Sequence, residues 1–333
     1  MGCYGSSKEA QRRDHFQSIC LCEKAHLAAS LSHGARWGFF TYQQCIKPFQ
    51  LSRSLARNEM SPQWSKFVRL GDAVALDEKL RKLAGQSAHY HVNKAKPDRA
   101  GHQTVELVAR LDRDNITFLL GLYPFDGDYF SSSEDMRSVD VAKWCCSLVQ
   151  RASPNYPRPI VVNDCYYSTE AARDVYRKNN FLYIMAQKQG WMPGVEQLLK
   201  GALTHRGQYA YAWNKARGEV CCAHWQVGRS EKKTYTVSNA FNAKHGQDFD
   251  KKAPPAYSHS AQTSNDCDRF NQDMGLNWYP FRPSDEDSHW DPMFFSMACM
   301  NAVHAARYFR LTADGETFKQ FMRRLGVHVL QTC

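Results

Sequence analysis

Three aspartates, Asp112, Asp164 and Asp268, stand where carboxylate chemistry can be assembled. Asp112 follows the apolar run 105–111, Asp164 closes Pro159-Ile-Val-Val-Asn163, and Asp268 stands ahead of the final helical region. Carboxylate oxygens suit Mg²⁺, a hard cation that takes few protein ligands and keeps waters and phosphate oxygens. Acids that converge from separate elements can hold two such ions about 3.5–4 Å apart, one for the attacking oxygen and one for the leaving oxygen of a phosphodiester. Taken singly, each acid also has a plain structural reading. Asp112 lies in the turn sequence Asp-Arg-Asp-Asn115, and Asp268 lies in a polar stretch, Ser264–Gln272, that suits a helix start.

The elements that must position these acids follow from the residue pattern. Residues 105–111 and 116–123 read as two strands of a hairpin. Val141, Trp144, Cys145, Leu148 and Val149 fall at helical spacing, with Pro154 past the expected end. A buried strand is expected at 159–163, a helix capped by Ser168 or Thr169 and running to about Asn179, and a strand at 181–185. Strand, helix, strand predicts an α/β sheet with crossovers. Residues 187–261 hold short candidate strands at 208–213, 219–225 and 234–237, and read as a β-rich insertion. Residues 291–310 have the apolar pattern of a helix largely buried in the core. The expected fold is a ribonuclease-H-like mixed sheet with flanking helices. In such a fold the acids sit at the first strand, at the end of a later adjacent strand and on a helix after it.

The order of several short blocks resembles the piggyBac transposase family. Ala75-Leu-Asp-Glu78, Leu80, Gly85, Lys96-Pro97 and Gly101 look like the segment leading into that family's catalytic core. Val161-Val-Asn-Asp164-Cys-Tyr-Tyr-Ser168 is similar to the block carrying its second aspartate. Cys267-Asp268-Arg-Phe-Asn271-Gln272 is similar to the block carrying its third, and Trp290-Asp-Pro-Met293 through Asn301 resembles its Trp-containing helix. Asp14–Ile19 looks like part of a helical region before the core. The resemblance implies metal-dependent DNA cleavage and strand transfer, with Asp112, Asp164, Asp268 and Asn271 around Mg²⁺ or Mn²⁺. It further implies double-stranded DNA (transposon ends and target) as partner, a homodimer and a nuclear location. Residues 1–78 correspond to a partial N-terminal helical region, 79–186 with 262–310 to the catalytic domain, and 311–333 to a tail without the family's Cys-rich zinc module. A truncated or domesticated copy is the expectation, with a catalytically silent DNA-binding protein as the alternative. The sequence departs from the pattern at three places: Asn271 stands where a fourth acid is usual, Asn265-Asp266 replaces Gly-Gly, and Cys165 follows Asp164. Asp266 therefore competes with Asp268 for the third position.

Composition agrees with this reading and removes others. A formal charge of +10 over 333 residues suits a polyanionic partner. The twelve cysteines include no Cys-x-x-Cys pair, so zinc modules are not indicated, and buried reduced thiols are expected. No apolar run is long enough for a transmembrane helix, and no membrane partner is expected. Met1-Gly-Cys-Tyr-Gly-Ser6 matches the short myristoylation pattern. His89-Tyr-His91 offers ligand types, although simple alternation along a polar strand or loop is the better account of it. There is no Walker-type glycine loop and no Gly-x-Ser-x-Gly elbow.

Overall fold

A computed structural model describes residues 69–82, 91–92, 100–111, 116–124, 134–154, 158–227, 233–241 and 255–276, with scattered positions between 300 and 324. The chain divides into two compact units, one spanning Ser52–Leu276 and another that includes the described positions after 300.

The larger unit is built on one mixed sheet. Its strands are β1 (Leu70–Lys82), β2 (His91–Val92), β3 (Ala100–Leu111), β4 (Thr117–Pro124), β5 (Ile160–Asn163), β6 (Tyr183–Gln187), β7 (Tyr209–Asn214), β8 (Glu219–Trp225) and β9 (Lys233–Ser238). Helices α1 (Glu134–Ala152), α2 (Glu170–Lys178), α3 (Pro193–Ala202) and α4 (Pro255–Leu276) complete it. The order across the sheet is β4–β3–β1–β5–β6–β9–β8–β7, with β2 also on β3. β1 is antiparallel to β3 and parallel to β5, and β5 is parallel to β6. Three antiparallel strands followed by two parallel ones, flanked by helices, is the ribonuclease-H-like arrangement that was expected.

Each face of the sheet has its own helices because strand residues alternate sides. Val74, Leu76, Val105 and Leu107 share a core with Val141, Cys145, Leu148 and Val149 of α1 and with Tyr176 of α2. The apolar side chains of α1 recur at three- and four-residue intervals, so one stripe of the helix is covered. β4 lies so close beneath it that a Cβ on Gly121 would stand 2.3 Å from Leu148 Cδ2. On the other face, Val162 and Ile184 pack against Ala256 of α4. The α2 cap forms as expected, with Thr169 Oγ1 accepting the Ala172 N–H at 3.2 Å.

One expectation needs correction. Residues 75–101 are expected to be a lead-in segment, yet 70–82 form the first described strand, inside the sheet, and 100–111 is its antiparallel neighbour. Its second half, Asp-Glu-Lys-Leu-Arg-Lys82, is charged, which hid the strand. The β-rich segment expected at 187–261 is joined to the main sheet. β9 pairs with β6, so β7, β8 and β9 extend the main sheet, and α3 precedes them.

In the smaller unit, Met300, Val303, His304, Tyr308 and Phe321 are buried, and 303–304 and 307–308 are helical. Arg324 makes a two-pronged pair with Glu316 at 2.9 and 2.8 Å. Residues 1–68, with the myristoylation pattern, and His89 lie outside the described residues; His91 pairs with Gly101. No described helix is long and apolar enough to cross a membrane.

Candidate active site

β1 and β5 run side by side with Leu76 opposite Asn163, and the Asp164 N–H donates to Leu76 O at 3.4 Å. The next residues, Asp77 and Asp164, therefore share one level where the β1–β5 pairing ends, at the carboxyl end of β5, the edge where open α/β sheets place ligands. Alternation sends both toward α4, as it does Ala75 and Val162. Asn163 points the opposite way, its Nδ2 donating to Tyr176 Oη at 3.2 Å. Each acid ends an apolar run, Ala73-Val-Ala-Leu76 in one case and Ile160-Val-Val-Asn163 in the other. That shared pattern is the signal by which Asp77 could have been found in the sequence.

Asp164 is exposed and starts a single 3₁₀ turn, Cys165–Tyr167. Its carbonyl accepts from the Tyr167 N–H at 3.2 Å and from Ser168 Oγ at 2.8 Å, which fixes the turn. Burial, then the Asp164 charge, pushes the Cys165 thiol up to about 11. Lys188, just past β6, stands over the rings of Tyr166 and Trp191 at 4.9 and 4.8 Å. Arg137 Nη1 donates to Tyr166 Oη at 2.6 Å.

α4 covers the acid-bearing face. Cys267 Sγ donates to Ala75 O at 3.7 Å, two residues before Asp77. Burial, then the charges of Asp77, Glu106, Asp266 and Asp268, holds the Cys267 thiol well above its ordinary value. Glu106, opposite Asp77 on β3, is buried. Asn271 lies one helical turn beyond Cys267, and its Oδ1 is buried with no hydrogen-bond partner among the described residues. Asp268 lies within α4 and is exposed.

Asp266 is occupied elsewhere. Its carboxylate accepts from Arg110 Nη2 at 2.9 Å, and Arg269 lies 3.7 Å away. Burial raises its carboxyl above the usual range, with Arg110 pulling it back. Asp112 lies outside the described residues. Its preceding neighbour Leu111 pairs with Leu70, at the other end of β1 from Asp77. β1 is irregular between Leu70 and Val74, so the separation is better counted on β3, where Leu111 is five steps from Glu106, the partner of Asp77, or roughly 17 Å. The structure thus brings Asp164 beside Asp77, and it sets Leu111 far from both. Among the described residues, no three His, Cys, Asp or Glu side chains form a group that could hold a metal ion.

No protein-family model matches the chain, and no curated protein matches it in sequence. Solved structures do match in shape. A piggyBac transposase in a synaptic complex with hairpin DNA superposes with a TM-score of 0.63 at 13% identity, over 78% of this chain and 52% of that one. The chain therefore spans about half the length of that transposase. Endonuclease V of Ciona intestinalis, in complex with an inosine-containing DNA, gives a TM-score of 0.33 at 11% identity, over 66% and 98% of the two chains. The catalytic domain of human endonuclease V gives 0.34 at 12% identity, over 70% and 97%. At 13% identity the transposase likeness is one of fold: this chain has a mixed α/β sheet flanked by helices, similar to that of a transposase.

Proposed function

We propose that this chain is a transposase-like core that cleaves and joins DNA with divalent metal, Asp77 taking the part expected of Asp112. The observation that carries the reading is the parallel register of β1 and β5, which sets Asp77 and Asp164 on one level and one face. The donor set fits Mg²⁺ or Mn²⁺: two adjacent carboxylates, with the buried, unpartnered Oδ1 of Asn271 on the covering helix. When bound, such ions supply Lewis-acid polarisation of a phosphodiester. Asp77 and Asp164 hold that charge, with Asp268 reaching from the exposed flank of α4. Lys188, steadied by Tyr166 and Trp191, offers positive charge beside Asp164 for a DNA phosphate. Double-stranded DNA as partner, a homodimer and a nuclear location belong to the same reading.

A silent DNA-binding protein is the second reading, favoured by the neutral Asn271 and by the absence of a three-ligand group among the described residues. One assay separates the two. Purified protein is incubated with duplex DNA and Mg²⁺ or Mn²⁺, alongside Asp77→Asn, Asp164→Asn and Asp112→Asn. The wild type should nick, Asp77→Asn and Asp164→Asn should lose activity by on the order of 10³–10⁴-fold, and Asp112→Asn should keep it. DNA binding without nicking by the wild type supports the silent reading. Activity retained by Asp77→Asn and lost in Asp112→Asn restores the original trio.

A further inference from the structure

The chain leaving β6 meets the turn that follows Asp164. Asn163 pairs with Met185, so residues 164–167 and 188–192 leave the sheet side by side at its carboxyl edge. There the ammonium of Lys188 lies on two rings at once, 4.9 Å from the Tyr166 centroid and 4.8 Å from that of Trp191. Both rings are half-buried. The group is fixed from two sides. Arg137 Nη1 donates to Tyr166 Oη at 2.6 Å. The buried Glu196 carboxylate accepts the Gly190 N–H at 2.9 and 2.8 Å and the Met192 N–H at 3.2 Å, which holds the backbone on either side of Trp191. Gly190 turns the loop with φ 91°, a conformation that favours glycine. A ring used only for packing needs neither a cation on its face nor a buried carboxylate to fix the loop that carries it.

We infer that Trp191, with Tyr166 and Lys188, forms a binding wall for an unpaired nucleotide next to the phosphodiester at Asp164. On binding, the ammonium of Lys188 passes to a phosphate and the base takes its place on the Trp191 ring. Lysine carries its charge on a flexible stem, so this exchange leaves the loop where Glu196 holds it. A base stacked on an aromatic ring gains more than one cation–ring contact at a part-exposed site, so the exchange favours the complex. Every base has a π-face, so the wall prefers an unpaired base over a paired one and tolerates any sequence. The inference rests on the DNA-processing reading of the same site.

Binding of the full chain to three DNAs, measured in chelator so that none is cut, tests the wall. They are a blunt duplex, the same duplex with a short single-stranded tail, and the duplex with an equal tail of abasic nucleotides. The two tails carry the same phosphates, so the difference between them reports the bases alone. Wild type should bind the base-bearing tail about 10-fold tighter than the abasic one, and should quench 2-aminopurine placed at the first unpaired position. Trp191→Leu should lose the preference and the quenching while binding blunt duplex like wild type, and Trp191→Phe should keep part of both. Equal wild-type affinity for the two tails, with blunt duplex still bound, overturns the wall and leaves the DNA-binding reading standing. An undiminished preference in Trp191→Leu or Trp191→Phe overturns it as well. Failure of the wild type to bind any of the three DNAs removes both.

Discussion

Glu219 and Asp164 belong to one sheet, and their carboxylates meet opposite surroundings. Glu219, at the start of β8, is 2% exposed and stands 3.3 Å from Arg173 Nε and 3.3 Å from Arg217 Nε. Tyr183 Oη donates to it at 2.5 Å, and burial with that carboxylate raises the Tyr183 phenol. Arg217 continues to Asp174 at 2.6 Å and to Glu170, so the β7–β8 turn is tied to α2. Asp164 and Asp268, by contrast, make no ion pair with any described Lys or Arg, while four acids crowd Cys267. Even Asp266 among those four is matched by Arg110. A buried acid is tolerated when cations meet it, so the first cluster is a fastener. The second keeps negative charge where the β1–β5 pairing ends, which suits a cation from solution.

If this contrast holds, substitutions at the two places should separate activity from stability. The largest effect is the loss of metal-dependent cleavage in Asp164→Asn or Asp77→Asn, at nearly unchanged melting temperature. Glu219→Gln should do the reverse. It leaves Arg173, 5% exposed, without its carboxylate, and should cost about 3 kcal/mol in denaturant unfolding while cleavage persists below the melting transition. An unchanged unfolding midpoint in Glu219→Gln would dissolve the contrast. Arg217→Met should cost less, about 1 kcal/mol, because two of its partners, Glu170 and Asp174, are 66% and 48% exposed and screened by solvent, while the third, buried Glu219, keeps Arg173.

The residues that declared themselves in the sequence are those whose local signal and tertiary role agree. Val141 to Val149 repeat at helical spacing and form the buried stripe of α1. Thr169 looks like a cap and caps. Asp164 ends an apolar strand and stands at the sheet's carboxyl edge. Asp77 was hidden because its strand continues into charged residues, so a strand inside the sheet read as a lead-in segment. Asp112 drew attention because it also ends a strand, but an antiparallel one, whose end points away from the parallel carboxyl edge. Strand direction is a tertiary property, set by pairing, and no local pattern encodes it. For the same reason β7, β8 and β9 were legible as strands while their joining to β6 was not. Asp266 and Asp268 are two residues apart on one helix, and only the packing of α4 distinguishes the buried one from the exposed one.

His224 gives the smallest effect and the finest test of how the extending strands are held. It lies buried on β8, its ring stacked on Tyr209 with centroids 4.2 Å apart and planes 8° from parallel. Burial lowers its imidazole below the ordinary value. In the unfolded chain it takes up a proton near the usual pH of about 6.5, before the folded chain does. As pH falls through that window the unfolded state binds more protons, so stability declines; above about 6.5 the group contributes no pH dependence. Melting should therefore drop between about pH 7.5 and about pH 5 by more in the wild type than in His224→Phe, which keeps the stack and cannot titrate. Equal drops in the two proteins would mean that this strand pair opens to solvent readily enough for His224 to charge without unfolding. In that case the Glu219 clamp, and not the stack, is what holds β7 and β8 on the sheet.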